Sequence, residues 1–313
     1  MSYKVIVAML TYNLEKYVAE AIESVLSQKT NFDFKILISD DCSTDSTKNI
    51  LSRYKNKYPD KIELILAANN AGCSANALRL YEKLDSEYFA ILDGDDVWLN
   101  SERLQKQVDF LDEHRECSMC SGQTYYLIGD EIKGHIVPDE WLGKYYTYED
   151  FFKHPLLLHV SGLLYRNVIF SNGVPYPFYE TLNTFEDCAV RGEDFRRVIH
   201  LENGPAYIMS EVVSGYRIHN KGLWSSMSNT RKMIETAIFS DYVARYYRYL
   251  PPCTYKMVQE KSAQDYRRLI EYLINNKILY PSCNMNSKEL KLLIGYLANQ
   301  GKNINIESIM DRI

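Results

Sequence analysis

The stretch VIVAMLTYNLEKYVAEAIESVLSQ, residues 5–28, decides the fold. Val5-Ile6-Val7-Ala8-Met9-Leu10 is a continuous apolar run, the mark of a strand buried on both faces. Val18, Ala21, Ile22, Val25 and Leu26 follow it at helical spacing. The same pair then recurs three times. Residues 34–38 lead to a helix with Ile50, Leu51, Tyr54 and Tyr58 on one face, and Ser43, Thr44 and Asp45 ahead of it are turn and N-cap formers. Residues 62–66 lead to Leu78, Tyr81 and Leu84, and residues 88–92 lead to Leu104, Val108 and Leu111. Four such units predict an α/β fold, a mostly parallel sheet flanked by helices, in which ligands bind outside the carboxyl ends of the strands.

The residues just past each strand are therefore the candidate site. Leu10-Thr11-Tyr12-Asn13 holds no glycine, so the G-x-G-x-x-G turn of dinucleotide-binding domains is missing, and no G-x-x-x-x-G-K-[ST] occurs anywhere. Dehydrogenase and P-loop readings fall. The second strand ends in Ser39-Asp40-Asp41-Cys42-Ser43-Thr44-Asp45 and the fourth in Asp93-Gly94-Asp95-Asp96-Val97-Trp98. Carboxylates crowded on one sheet edge repel one another unless a cation sits among them. All-oxygen donors favour Mg²⁺ or Mn²⁺, ions that share a few carboxylates with substrate phosphates. Asp40, Ser43 and Asp45 also have an ordinary use as turn and cap formers.

Outward from this edge, the chain runs to 313 residues, 46% hydrophobic, with a net charge of −5, enough for about two domains around a real core. Residues 1–100 carry −4, residues 101–228 carry −6 and residues 229–313 carry +5. An acidic body does not suit nucleic acid, whose binding rests on phosphate neutralisation. Seven scattered cysteines imply no disulfide framework. Cys117-x-x-Cys120 with His114 lacks the second pair of a zinc site and reads as structural thiols. No apolar run reaches the ~18 residues of a membrane-spanning helix, and Met1-Ser2-Tyr3-Lys4 runs straight into the first strand, which predicts a cytoplasmic protein without a signal peptide. Residues 117–183 read as irregular, aromatic-rich structure wrapped around a site. Helical spacing returns with Ile234, Ile238, Tyr242, Tyr246 and Tyr249, then Tyr266, Leu269, Ile270 and Leu273, then Leu290, Leu293 and Leu297, with Pro251-Pro252 between the first two.

Four runs in order, VIVAMLTYNLEKYVAEAIESVLSQ, ILISDDCSTDST, NNAGCSANAL and FAILDGDDVW, resemble the N-terminal half of the GT-A glycosyltransferases of family 2, and GEDFRRVIHLENGPAYIMSEVVSGYRIHNKGLWSS at 192–226 is similar to the family's acceptor side. The resemblance implies a Rossmann-like GT-A domain over 1–228, with a nucleotide-sugar-binding half at 1–115 and an acceptor half at 116–228, followed by a basic helical extension at 229–313. It implies that Leu10, Thr11 and Tyr12 cradle the nucleobase, Leu10 standing where the family commonly has proline. Asp41 would accept from a uracil-type ring, with Asp40 as helper, and Asp93 would also face the nucleotide sugar. Asp95 and Asp96 would hold Mn²⁺ or Mg²⁺. Asp194 would be the general base, although Phe195 replaces a common tryptophan and Glu186-Asp187 is a rival pair. His219 would complete the metal sphere or touch the diphosphate, and Arg217 would neutralise phosphate or pair with a neighbouring acid. Trp98 would pack beneath the metal loop, and Trp224 would border the diphosphate.

The resemblance thus implies an inverting, metal-dependent transfer from a nucleoside-diphosphate sugar, UDP-sugar first, to a glycan or lipid-linked acceptor in bacterial surface polysaccharide assembly. No Q-x-x-R-W segment of processive relatives is present, which favours a single transfer per encounter. A sugar-phosphate nucleotidyltransferase would want a glycine-rich, arginine-bearing loop after the first strand, and 10–16 has none. A catalytically silent nucleotide- or glycan-binding protein is the other rival. The basic tail, with Arg245, Arg248, Arg267 and Arg268, suits either packing and homodimerisation or peripheral contact with anionic lipid.

Overall fold

A computed structural model describes residues 3–276 except 130, 221 and 249–251, together with 289, 292, 293, 295 and 296. The strand and helix pairs stand as the spacing predicts: β1 (Tyr3–Thr11), α1 (Val18–Leu26), β2 (Phe34–Asp40), α2 (Thr47–Lys57), β3 (Ile62–Leu66), α3 (Cys73–Tyr81), β4 (Ser86–Ile91), β5 (Val97–Trp98) and α4 (Arg103–Glu113). There follow β6 (Met119–Ile128), β7 (Glu131–His135), β8 (Lys144–Tyr146), α5 (Tyr148–Lys153), β9 (Leu163–Arg166), α6 (Pro177–Glu180), α7 (Asp187–Arg191), α8 (Glu193–Leu201), β10 (Ala206–Arg217), α9 (Asn229–Tyr246) and α10 (Pro252–Asn275).

The sheet runs β3-β2-β1-β4-β9-β6-β10-β5, with β7 on β6 and β8 on β10. Its first four strands are parallel. This is the GT-A arrangement the resemblance implied. Val5, Val7, Met9, Ile36 and Ile38 bury one face of the sheet against Ile22, Val25, Leu104 and Val108, each side chain contributing ~1.5–3 kcal/mol of transfer free energy. The parallel register brings the carboxyl ends of β1 and β2 level, Thr11 pairing with Asp40.

Residues 117–183 are less irregular than their sequence suggests. β6 crosses the sheet between β9, antiparallel, and β10, parallel. Its buried middle, Ser121, Gly122, Gln123 and Thr124, is polar or small, so a continuous apolar run is missing there. Burial is satisfied by hydrogen bonds instead: Gln123 donates to the Val137 carbonyl at 2.7 Å and accepts from its amide at 2.9 Å. Glycine at 122 is required by crowding, because a Cβ there would lie 2.4 Å from Val213 Cγ1.

The chain divides into two compact units, Met1–Tyr179 with Arg196–Asn220, and Glu180–Phe195 with Lys221–Ile313. Segment 180–195, assigned from sequence to the acceptor half, groups with the C-terminal helices. The reason is specific bonding: Arg191 and Arg231 both hold the buried Glu235, at 2.7 and 2.8 Å, and Arg245 pairs with Glu186 as well as with Asp241. Within this second unit Ile234, Ile238, Tyr242, Leu269 and Leu273 are buried as the spacing predicts. Of the third expected helix, Leu293 is buried, while Leu290 and Leu297, like Tyr249 and Pro251, lie outside the described residues. Among the described residues no helix is long and apolar enough to cross a membrane.

One buried cation holds the segment before β9. Arg103, fully buried, donates Nε to Gln107 at 2.9 Å, Nη1 to the Ser161 carbonyl, and Nη2 to the Leu163 carbonyl at 3.2 Å. Its guanidinium lies 4.0 Å from the Trp98 ring centroid, and the indole donates to the same Ser161 carbonyl at 3.1 Å. Trp98 is thus buried against Arg103 and the Ser161 carbonyl. Burial pulls the Arg103 pKa down to about 9, which keeps it protonated at neutral pH. Arg103→Met removes these donors and is expected to cost about 3 kcal/mol. An unchanged urea midpoint in that variant would refute the clamp.

Candidate active site at the strand ends

The loops after β1 and β2 are stitched together by side chains bonding to backbone. Asn13 adopts a left-handed φ of 56°, which Asn tolerates. Its amide donates to Ser43 Oγ at 2.9 Å and its Oδ1 accepts from the Thr44 amide at 2.8 Å. The Leu14 amide donates to Thr47 Oγ1 at 2.8 Å and the Glu15 amide to Asp45 Oδ2 at 3.2 Å, while Glu15 returns the bond by accepting from the Ser46 amide at 2.9 Å. Asp40, fully buried, accepts from Thr11 Oγ1 at 3.2 Å and from the Ser43 amide at 2.9 Å. Asp40, Ser43 and Asp45 therefore do the turn work open to them from sequence.

The third loop joins by close approach. The Gly94 amide donates to the Leu10 carbonyl at 3.0 Å. A Cβ on Gly94 would fall 2.8 Å from Thr11 Cγ2, so no larger residue fits beneath this turn. Tyr12 is exposed at the tip of the first loop, and Asp93 is half-buried beside Gly94.

Asp41 is 2% exposed and accepts from the Ala71 amide at 3.0 Å, the Gly72 amide at 2.7 Å and Arg79 Nη1 at 3.0 Å. It fixes the turn into α3. Asn76 adds to this join, donating to the Ser39 carbonyl at 3.0 Å and accepting from Ser39 Oγ at 2.6 Å. No periodicity marks Asn76 as more than a helical polar residue, and the sequence reading passed over it.

At the opposite side of the edge, the end of β10 meets the strand-four loop. His219 Nε2 lies 2.9 Å from Asp95 Oδ2, and Tyr17 packs on the imidazole at 4.9 Å between ring centroids. The Arg217 side chain donates to Glu20 at 2.7 Å and to the Asp95 carbonyl at 3.0 Å. Tyr17, just ahead of α1, and Glu20 in its first turn were also passed over. Asp96, only 2% exposed, accepts the Arg217 amide at 2.9 Å, and its other oxygen faces His159 Nδ1 at 3.8 Å. Burial, helped by the charge of Arg197, pushes the His159 pKa down to about 3, which keeps the ring neutral.

The donor chemistry fits a hard divalent ion. Adjacent ligands of an octahedral ion bonded at about 2.1 Å stand about 3 Å apart, and Asp95 and His219 have that spacing. Among the described residues no group of three or more His, Cys, Asp or Glu side chains is placed to hold a metal. Such ions usually complete their sphere with water and substrate phosphate.

Asp194 occupies the first turn of α8, in the second unit, and is half-buried. Phe195 after it is buried against Tyr242 and Tyr246 of the same unit, ring centroids 5.7 and 5.5 Å away, the role of a large aromatic there. In the rival pair, Glu186 holds Arg245 and Asp187 lies 3.8 Å from Arg191. Trp224 belongs to the second unit, is exposed, and stacks under Lys232 at 5.2 Å.

The sequence profile of glycosyl transferase family 2 matches residues 6–165. The chain belongs to that family. Rv1520 of Mycobacterium tuberculosis strain H37Rv, an uncharacterized protein, is 30% identical over 232 residues, covering 74% of this chain and 63% of its own length. TuaG of Bacillus subtilis strain 168, a candidate teichuronic acid biosynthesis glycosyltransferase, is 29% identical over 231 residues, covering 72% and 84%. The family's GT-A fold is matched by TarS 1–349 of Staphylococcus aureus, solved with UDP-GlcNAc, at a TM-score of 0.55 and 17% identity over 87% of this chain and 92% of that one. The mannosyltransferase PcManGT of Pyrobaculum calidifontis, solved with GDP-Man and Mn²⁺, also gives 0.55, at 13% identity over 97% and 82%.

The loop clamp has a pH signature. Burial raises the Asp45 pKa, but hydrogen bonds from Thr47 and Glu15 outweigh it and hold the carboxyl below its usual 3.8. A depressed folded pKa adds stability above the unfolded value and loses it as pH falls. Asp45→Ala should therefore cost about 1 kcal/mol at pH 7, with the gap closing as pH drops below 3.8. Urea titrations of both proteins across that range are the check, and a gap that persists at low pH argues against a bonded carboxylate.

Proposed function

We propose that this glycosyltransferase transfers a sugar from a nucleoside-diphosphate sugar, UDP-sugar first, to an acceptor hydroxyl with inversion at C1. The observation that carries the reading is the meeting of Asp95 and His219 at 2.9 Å on the edge that also presents Asp93 and Tyr12. Asp95 and His219 would hold Mn²⁺ or Mg²⁺, which supplies positive charge for the departing diphosphate. Tyr12 with the Leu10 and Thr11 backbone would receive the base, and Asp41, already anchored by the 71–72 amides, would lend it a remaining lone pair. Asp194 would take the proton of the acceptor hydroxyl as its oxygen attacks C1 and the bond from C1 to the diphosphate breaks. The family motif supports that role for Asp194.

The same reading places the transfer in assembly of a bacterial surface polysaccharide, on a glycan or lipid-linked acceptor at the cytoplasmic side; the teichuronic acid biosynthesis role of TuaG and the poly(ribitol-phosphate) beta-N-acetylglucosaminyltransferase TarS support the polysaccharide role. Peripheral lipid contact through the basic helices has reduced support, because Arg245 is spent on Glu186 and Asp241 and Arg268 lies 3.7 Å from Asp265. Arg248 and Arg267 are exposed. Packing or self-association is the better use of that surface.

Calorimetry and turnover separate binding from chemistry. Asp95→Ala and His219→Ala should each weaken Mn²⁺-dependent UDP binding by at least tenfold. Asp194→Asn should leave donor affinity within a few-fold and lower transfer by roughly 10². Loss confined to Asp187→Asn would move the base to the rival pair, and donor binding with no turnover from any sugar nucleotide would identify a silent binding protein.

A further inference from the structure

Asp96 stands beside Asp95 in the loop, and both were expected to ligate the ion. Their surroundings differ. Asp95 is half-buried with Oδ2 on His219, whereas Asp96 points into the protein, where its Oδ1 accepts the backbone N–H of Arg217 at 2.9 Å. That bond ties the strand-four loop to the last residue of β10, two residues ahead of His219.

The cover over this bond is continuous. His159 fills the space behind Asp96, its ring centroid 4.3 Å from that of Tyr216. The Ser161 amide donates to its Nδ1 at 3.4 Å, and the Ser161 hydroxyl lies 2.7 Å from the same nitrogen. From there Ser161 Oγ reaches Ser214 Oγ at 3.2 Å, and Ser214 lies 2.8 Å from Thr124 Oγ1. Ser214 is itself on β10, so the polar chain that starts at Asp96 returns to the strand that Asp96 holds. A hydrogen bond to a carboxylate is stronger than a neutral one, and more so where water is excluded.

We propose that Asp96 is a positioning residue for the metal-facing pair: it latches the end of β10 to the strand-four loop so that His219 is delivered to Asp95. The inference rests on the reading of Asp95 and His219 as the pair that faces the ion. Arg217 supports the same latch with its side chain, through the Asp95 carbonyl and Glu20.

Conservative and truncating variants give opposite answers for a latch and a ligand. Asn at 96 keeps an oxygen that accepts the Arg217 amide, and its NH₂ would face the His159 nitrogen. Ala keeps neither. Titration of each purified full-length variant with Mn²⁺ in the presence of UDP should show Asp96→Asn within a few-fold of wild type and Asp96→Ala weaker by tenfold or more, the scale of residues that orient a ligand. Equal loss in both variants would make Asp96 a direct ligand, and no loss in Asp96→Ala would make the latch irrelevant. Either result overturns the proposal.

Amide hydrogen exchange of the segment around Arg217, measured without metal, keeps the latch testable if wild-type protein binds no Mn²⁺ and the metal reading itself fails. Asp96→Ala should lose protection at the Arg217 amide and Asp96→Asn should retain it. Unchanged exchange in Asp96→Ala refutes the latch. Should Asp96→Ala not fold, Asp96→Asn against wild type still separates a latch from a ligand.

Discussion

A carboxylate buried at the end of a strand must be given hydrogen-bond donors, and this single requirement organises the sheet edge. Asp40 takes the Ser43 amide and Thr11 hydroxyl, Asp41 takes the 71 and 72 amides with Arg79, and Asp96 takes the Arg217 amide. Apart from the local bond of Asp40 to Ser43, each joins segments remote in sequence. Asp40 joins β1 to the loop after β2, Asp41 joins that loop to α3, and Asp96 joins the strand-four loop to β10. The acids that are buried thus build the edge, while Asp93 and Asp95 are only half-buried there.

This division was only partly legible in the sequence. The four strand and helix pairs were, because parallel strands buried on both faces must be apolar runs and their helices must keep an apolar stripe. The acidic loops were also visible, since position after a strand is a sequence property. Which acid faces inward is not one: Asp95 and Asp96 are adjacent and identical in type, and only the arrival of β10 at residue 217 separates them. Nor could β6 be read, as Ser121, Gly122, Gln123 and Thr124 are buried by hydrogen bonding and close approach, which leave no hydrophobic period. That segment 180–195 groups with the C-terminal helices was hidden for a related reason. Its allegiance comes from Arg191 and Glu186 finding partners at 235 and 245, pairs that charge patterning along the chain does not reveal.

Buried arginines show the same economy applied to carbonyls. Arg103 donates to the 161 and 163 carbonyls and Arg197 to those of 156 and 158, at 3.1 and 3.2 Å. Residues 156–163 therefore have two guanidinium forks supplying donors that no strand partner provides over 156–160. His159 lies between the two grips, and the positive field of Arg197 is one reason it stays neutral. A neutral ring can fill the space behind Asp96 without claiming its charge.

Charge pairing at the edge bears on how a diphosphate could be accommodated. The guanidinium groups of Arg79 and Arg217 are each tied to a carboxylate, Asp41 and Glu20, and the imidazole of His219 rests on Asp95. A diphosphate brought to this edge would add negative charge beside Asp93 and Asp95, where like charges at contact distance repel by ~1 kcal/mol in water and by more as the site dries. Releasing Arg217 to meet it would strand Glu20 and loosen the end of β10. A divalent ion on Asp95 and His219 would meet the same need at the cost of their mutual contact alone, leaving the Arg79 and Arg217 pairs in place, so donor affinity on the proposed reading depends on the ion.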